Sequence, residues 1–193
     1  SGDASDSVYK ITLDGNKEVV SDEIAFNNGD FCGIDDGLAF DARGIADPTD
    51  DVIYYSDDCF TTVIDVYNLT GGLVESFTWA GVGCYNSGLA IGGDLLYQGS
   101  NGCTHVWVVN KSNTSALVFD FSTAQAGDPS FRDEDLECDT NTFAGQGLHV
   151  MWSVEAFEPR RAFAFEIPFD SCQVGGLEEP PGNVTIFITQ NTP

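Results

Sequence analysis

An all-β fold of repeated four-stranded antiparallel sheets is predicted by three features of this 193-residue chain. First, a cysteine-bearing segment recurs. Cys32-Gly-Ile-Asp-Asp-Gly-Leu-Ala-Phe-Asp returns as Cys84-Tyr-Asn-Ser-Gly-Leu-Ala-Ile-Gly, and Asp51-Val-Ile-Tyr-Tyr-Ser-Asp-Asp-Cys59 returns as Asp94-Leu-Leu-Tyr-Gln-Gly-Ser-Asn-Gly-Cys103. Second, each copy is followed by an apolar run, Val63 to Asn68 and then Val106 to Asn110. Third, no window carries a 3.6-residue apolar stripe between helix caps. A period of about 45 residues, all strand and turn, is the spacing of a propeller blade or a related stacked sheet.

Overlaying the copies assigns the strands in order. Val8–Leu13, the turn Asp14-Gly-Asn-Lys17 and Glu18–Phe26 form an opening hairpin that matches the last two strands of a unit. The first whole unit holds Gly37–Asp41, Val52–Tyr55, Val63–Tyr67 and Leu73–Trp79. The second holds Gly88–Ile91, Leu95–Tyr97, Val106–Val109 and Ala116–Phe121. Third and fourth strands are joined by polar turns, Asn68-Leu-Thr-Gly-Gly72 and Asn110-Lys-Ser-Asn-Thr-Ser115, which read as hairpin loops. A last, partial unit supplies Leu136–Asp139, Val150–Ser153 and Ala162–Ile167, closed by Pro168–Cys172. The expected organisation is a repeat domain over 1–172, a Pro/Gly linker over 173–182 and a strand-bearing tail over 183–193.

The cysteines point to compartment. Six is an even number, and four stand at equivalent places in two repeats, as structural bridges would. The simplest of the possible connectivities keeps each bridge within one repeat: Cys32–Cys59, Cys84–Cys103 and Cys138–Cys172. Loops of this length each contribute about 3–4 kcal/mol by restricting the unfolded chain. A zinc site would need Cys-x-x-Cys pairs or more than two histidines. No signal-peptide pattern opens the chain at Ser1, so an extracellular or cell-surface protein whose leader is already removed is the expectation.

A net charge of −24 with only seven Lys and Arg excludes nucleic acid as a partner, because phosphate neutralisation needs basic patches. No apolar run reaches the length of a membrane span. The acid-rich loops Asp35-Asp36, Asp47-Pro-Thr-Asp50-Asp51, Asp57-Asp58 and Asp133-Glu-Asp-Leu-Glu137 are either solvated turns or Ca²⁺ ligands. Asp47, Asp50, Asp51, Asp57 and Asp58 are the metal candidates, although none fits the Asp-x-Asp-x-Asp-Gly calcium loop. His105 and His149 stand near no nucleophile or metalloprotease motif, so catalysis is not expected. Asn-x-Ser/Thr sequons at Asn68, Asn110, Asn113 and Asn183 are candidate glycosylation sites, three of them in the exposed third-to-fourth-strand turns.

The blocks Gly37-Leu-Ala-Phe-Asp41 and Val63-Ile-Asp-Val-Tyr67 resemble secreted β-propellers of the NHL and gluconolactonase-like type. The resemblance covers about residues 8–172 and implies a propeller that is either a binding scaffold or a metal-dependent lactone hydrolase. No active-site motif of those families matches, so no catalytic residue carries over.

The expected function is an extracellular structural or interaction module. Its partners would be copies of itself, recruited through the terminal strand, with Val184, Ile186 and Ile188 paired to a neighbouring chain in a filament or closed oligomer. Closure within one chain and membership of a larger parent are the alternatives for that strand. Two other functions compete: a metal-dependent hydrolase, and a glycan-binding adhesin that exposes Trp79, Trp107 or Trp152.

Overall fold

A computed structural model describes residues 7–27, 35–43, 49–57, 63–78, 84–124, 131–155, 160–172 and 185–189. Its strands are β1 Ser7–Leu13, β2 Val19–Asn27, β3 Asp35–Asp41, β4 Val52–Asp57, β5 Val63–Asn68, β6 Leu73–Thr78 and β7 Tyr85–Gly92. They continue as β8 Leu95–Asn101, β9 His105–Asn110, β10 Asn113–Ser122, β11 Asp135–Asp139, β12 His149–Glu155, β13 Arg161–Ile167 and β14 Thr185–Thr189. One 3₁₀ turn, Ala144–Gln146, precedes β12. The chain is all-β and propeller-like. Its antiparallel sheets run β14-β1-β2, β3-β4-β5-β6, β7-β8-β9-β10 and β11-β12-β13. No helix among the described residues is long and apolar enough to cross a membrane.

Polar side chains set the hairpin turns, while the ladders leaving them carry register shifts at Val8/Tyr9 and Thr12/Leu13 in β1–β2, at Val66/Tyr67 in β5–β6, and at Asn113/Leu117 and Leu117/Phe119 in β9–β10. Asp14 Oδ1 accepts the backbone N–H groups of Asn16 and Glu18 at 2.8 and 3.0 Å. Asn68 Oδ1 accepts those of Thr70 and Gly72 at 3.0 and 2.8 Å, and Asn110 Oδ1 accepts that of Ser112 at 2.9 Å. Each is an Asx turn at the same place in the repeat. Lys17 and Gly71 take the left-handed conformation (φ 66° and 81°) that completes the first two hairpin loops.

Face-to-face packing of successive sheets makes the core. Val8 and Phe26 of the first sheet meet Ile53, Tyr55 and Tyr67 of the second. Tyr54, Ile64 and Val66 meet Leu89, Leu96 and Val109 of the third. Tyr97, Val106 and Val108 meet Leu136, Met151 and Ile167 of the fourth. A fully buried Ile, Leu or Met contributes about 1.5–3 kcal/mol, so these three layers carry the fold.

The repeated Gly-Leu-Ala segment has a packing cause. A Cβ at Gly37 would strike the Ser87 carbonyl oxygen, and one at Gly88 would stand 2.7 Å from Asp135 Cα. Glycine therefore lets each inner strand lie against the backbone of the next unit.

Cys84–Cys103 and Cys138–Cys172 are bridged as expected, with Cα separations of 5.9 and 5.5 Å. Cys32 and Cys59 lie outside the described residues, as do the linker 173–182, Asn183 and Val184. Two intramolecular disulfides belong with an oxidising, extracellular-type environment.

The terminal strand takes the closure within one chain that stands above as the alternative to a neighbouring chain: β14 pairs with β1, from Val8↔Thr189 to Thr12↔Thr185. Ile186 stands opposite Ile11, and Ile188 opposite Tyr9. The physical reason is concentration. A strand on a short tether competes for the β1 edge at an effective concentration of about a millimolar, well above that of a separate molecule.

Candidate functional site

A cavity of about 660 Å³ opens between the second and third sheets, where β3 and β7 end and where β6 and β10 begin. Phe40, Tyr54 and Ile91 give it apolar walls, and Asp41, Arg43, Glu75, Lys111 and Ser112 supply the polar groups. Asp41 ends β3 opposite Val52, and its carboxylate is buried. Lys111 sits in the β9–β10 turn, whose backbone N–H donates to the Asp94 carbonyl at 2.9 Å. That bond fixes the turn to the β7–β8 hairpin and aims Lys111 across the cleft.

Two of the seven cations of the chain meet on this one carboxylate. Lys111 Nζ donates to Asp41 Oδ1 at 2.7 Å, and Arg43 Nε lies 3.7 Å from Asp41 Oδ2. The Arg43 backbone N–H donates to Asp51 Oδ1 at 3.2 Å, and its guanidinium hydrogen-bonds the Tyr54 hydroxyl. Burial raises the pKa of Tyr54, with the Arg43 bond opposing, so the phenol stays neutral and available as a donor or acceptor. With Asp41 and Glu75 balancing Arg43 and Lys111, the lining is neutral in a chain of net charge −24.

A second polar cluster lies between the third and fourth sheets. Asp133 is fully buried; Ser153 Oγ donates to Oδ1 at 2.7 Å and Thr123 Oγ1 to Oδ2 at 2.8 Å. Its carbonyl accepts the Gly88 N–H at 2.8 Å. Burial pushes its carboxyl up to about 6, against the lowering effect of those donors. With both oxygens occupied by the fold, it acts as a structural hub.

The sequence-derived metal candidates do not converge. Asp47, Asp58 and the Asp57 side chain lie outside the described residues, Asp50 is exposed, and Asp51 accepts the Arg43 N–H. Among the described residues no group of three or more His, Cys, Asp or Glu could hold a metal ion. Of the Asp133–Glu137 segment, expected above as a loop, residues from Asp135 on form the start of β11, and burial raises the pKa of Asp135 and Glu137. Neighbouring Asp139 is held far below the usual carboxylate range by Thr142, Trp152 and Asn141 donors. The histidines stand apart: His105 Nε2 is 2.5 Å from Asp120 Oδ2, and His149 Nδ1 accepts the Asp170 N–H at 3.2 Å.

Neither of the described tryptophans, Trp107 and Trp152, lines the cavity. Trp107 is half-buried beside His105, and Trp152 donates Nε1–H to Asp139 Oδ2 at 2.9 Å. Trp79 lies outside the described residues. An aromatic ring does stand at the cavity wall: Phe40, 42% exposed. Sequence reasoning missed this site. The available signal was the placement of two scarce cations, Arg43 and Lys111, just beyond strand ends in adjacent units.

No family model and no curated protein matches the sequence. Among solved structures, a luciferin-regenerating enzyme is similar at 14% identity over 84% of this chain and 53% of its own, with a TM-score of 0.48. Glutaminyl cyclase of Myxococcus xanthus is similar at 16% identity over 71% of this chain and 48% of its own (TM-score 0.43). BamB of Moraxella catarrhalis is similar at 13% over 89% and 45%, also with a TM-score of 0.43. The chain thus spans about half the length of these propeller-like structures.

Proposed function

We propose that this chain is an extracellular interaction module that binds a neutral, hydroxyl-rich ligand, a saccharide, in the cavity between its second and third sheets. The observation that carries the reading is the charge-balanced lining beside an exposed aromatic ring. A cavity of this volume suits a small ligand, and such sites combine apolar walls with a few placed polar groups. Phe40 offers a face for the apolar side of a sugar ring, and Asp41, Arg43, Glu75, Lys111 and Ser112 offer donors and acceptors for its hydroxyls. An anionic ligand is disfavoured by the field of a −24 chain, and both cations already face Asp41.

Binding rather than catalysis is favoured because Asp41, Arg43, Lys111 and Tyr54 are engaged with one another, with no histidine or thiol among the described lining residues. A lactonase-like hydrolase would need oxygen or imidazole ligands converging on one metal at about 2.3–2.6 Å. Self-assembly by strand exchange would require β14 to leave β1, and the pairing within the chain takes away its motive.

A glycan array probed with the purified protein, followed by calorimetry on a hit, tests the proposal. Phe40→Ala is expected to weaken saccharide affinity about tenfold, the loss of roughly 1.4 kcal/mol, with an unchanged melting temperature. Lys111→Met is expected to abolish binding and to destabilise by about 3 kcal/mol, because it leaves a buried carboxylate short of its partner. Selective capture of amines or organic anions instead of neutral sugars would overturn the reading.

A further inference from the structure

The turns that join third and fourth strands carry a chemical feature beyond hairpin geometry. Two sequons begin there, Asn68-Leu-Thr70 and Asn110-Lys-Ser112, and a third, Asn113-Thr-Ser115, opens β10 directly after the second turn. In each, the hydroxyl two residues on donates to the asparagine Oδ1, at 2.8 Å from Thr70, 2.6 Å from Ser112 and 2.9 Å from Ser115. Asn68 Oδ1 and Asn110 Oδ1 also accept backbone N–H groups, so the carbonyl side of each amide is identified by its donors. The Nδ2 groups make no hydrogen bond among the described residues. The amide is thus held by its oxygen while its nitrogen stays uncommitted.

We propose that Asn68 and Asn113 are N-glycosylation sites, and that Asn110, three residues from Asn113 and less exposed, stays unmodified when Asn113 is occupied. The donor is a lipid-pyrophosphate-linked oligosaccharide. Nδ2 forms a bond to the anomeric carbon, the bond from that carbon to the pyrophosphate oxygen breaks, the amide gives up one proton and the lipid pyrophosphate leaves. No oxidant or reductant enters the step.

The placement gives the glycans a task. The outer strands carry exposed apolar pairs, Leu73–Val74 (59% and 52% exposed) at the start of β6 and Leu117–Val118 (53% and 52%) four residues into β10. Such edges are templates for unwanted pairing with another chain. A glycan on Asn68 would stand at the turn that leads into the first pair, and one on Asn113 on the same strand as the second, four residues before it. The outer strand β2 opens on the equivalent exposed pair Val19–Val20, but its turn, Asp14-Gly-Asn-Lys17, carries no sequon.

The test is secretion of the full chain from a glycosylating eukaryotic cell, then intact mass and peptide mapping before and after amidase removal of N-glycans, which converts a modified Asn to Asp. Conversion at Asn68 and Asn113 is expected, and Asn113→Gln is expected to move the second glycan to Asn110 without loss of secretion. Light scattering should show the deglycosylated protein self-associating at lower concentration than the glycosylated one. Unmodified Asn68 or Asn113 in folded, secreted protein overturns the assignment at that turn, and a glycan confined to Asn183 overturns both.

Discussion

Deletion of residues 183–193 is expected to be the most damaging single change to this fold. It removes β14 and strips β1 of the register that runs from Val8↔Thr189 to Thr12↔Thr185. Roughly five inter-strand pairings at about 1 kcal/mol each give a loss on the order of 5 kcal/mol, a large share of the stability of an ordinary domain. The exposed backbone of β1 then becomes an edge open to other chains. The truncated protein should melt at a much lower temperature and form higher-order species by light scattering, and a synthetic peptide of residues 183–193 supplied in excess should restore both. If the strand were exchanged between molecules instead, the full-length chain would be oligomeric and truncation would release monomers.

Removal of the Asp133 carboxylate comes second. Asp133→Ala leaves the buried Ser153 and Thr123 hydroxyls without their acceptor, each costing about 1–3 kcal/mol. Asp133→Asn keeps one acceptor oxygen, so it should cost less and isolate the effect of charge. Burial raises the folded-state carboxyl from 3.8 to about 6. Between those pH values the folded chain holds a proton that the unfolded chain has lost, so stability is full below about 4 and declines as pH rises through about 6. The decline attributable to this residue is on the order of 3 kcal/mol. Self-repulsion among the 31 acids acts in the same direction. The check is therefore the difference between wild type and Asp133→Asn in denaturant titrations from pH 4 to 7. Parallel curves would remove Asp133 from the account.

Much of this fold was legible in the residues. The Gly-Leu-Ala segment and the Asn or Asp opening each turn recur because backbone approach and Asx-turn chemistry are local demands that each repeat must meet alone. The bridges Cys84–Cys103 and Cys138–Cys172 follow from the same locality. The pairing of β14 with β1 was not legible as such. An apolar strand after a Pro/Gly-rich stretch reads identically whether its partner lies in its own chain or another, and tether length decides. The cavity was hidden for a related reason. Asp41 comes from the end of β3, Glu75 from β6 and Lys111 from the β9–β10 turn of the next unit, and only sheet packing brings them together. A tryptophan in a sequence reads as a ligand platform, whereas in the fold Trp152 is taken up by Asp139 and Phe143.

The central claim is that a neutral saccharide occupies the cavity between the second and third sheets, and amide-resolved NMR titration with an array-selected oligosaccharide tests it most directly. The account predicts saturable shifts at Phe40, Arg43, Gly93, Lys111 and Ser112, with none at Asp133 or Ser153. Shifts centred on Trp107 and His105, or on Trp152, or no saturable shifts at the cavity residues would contradict it.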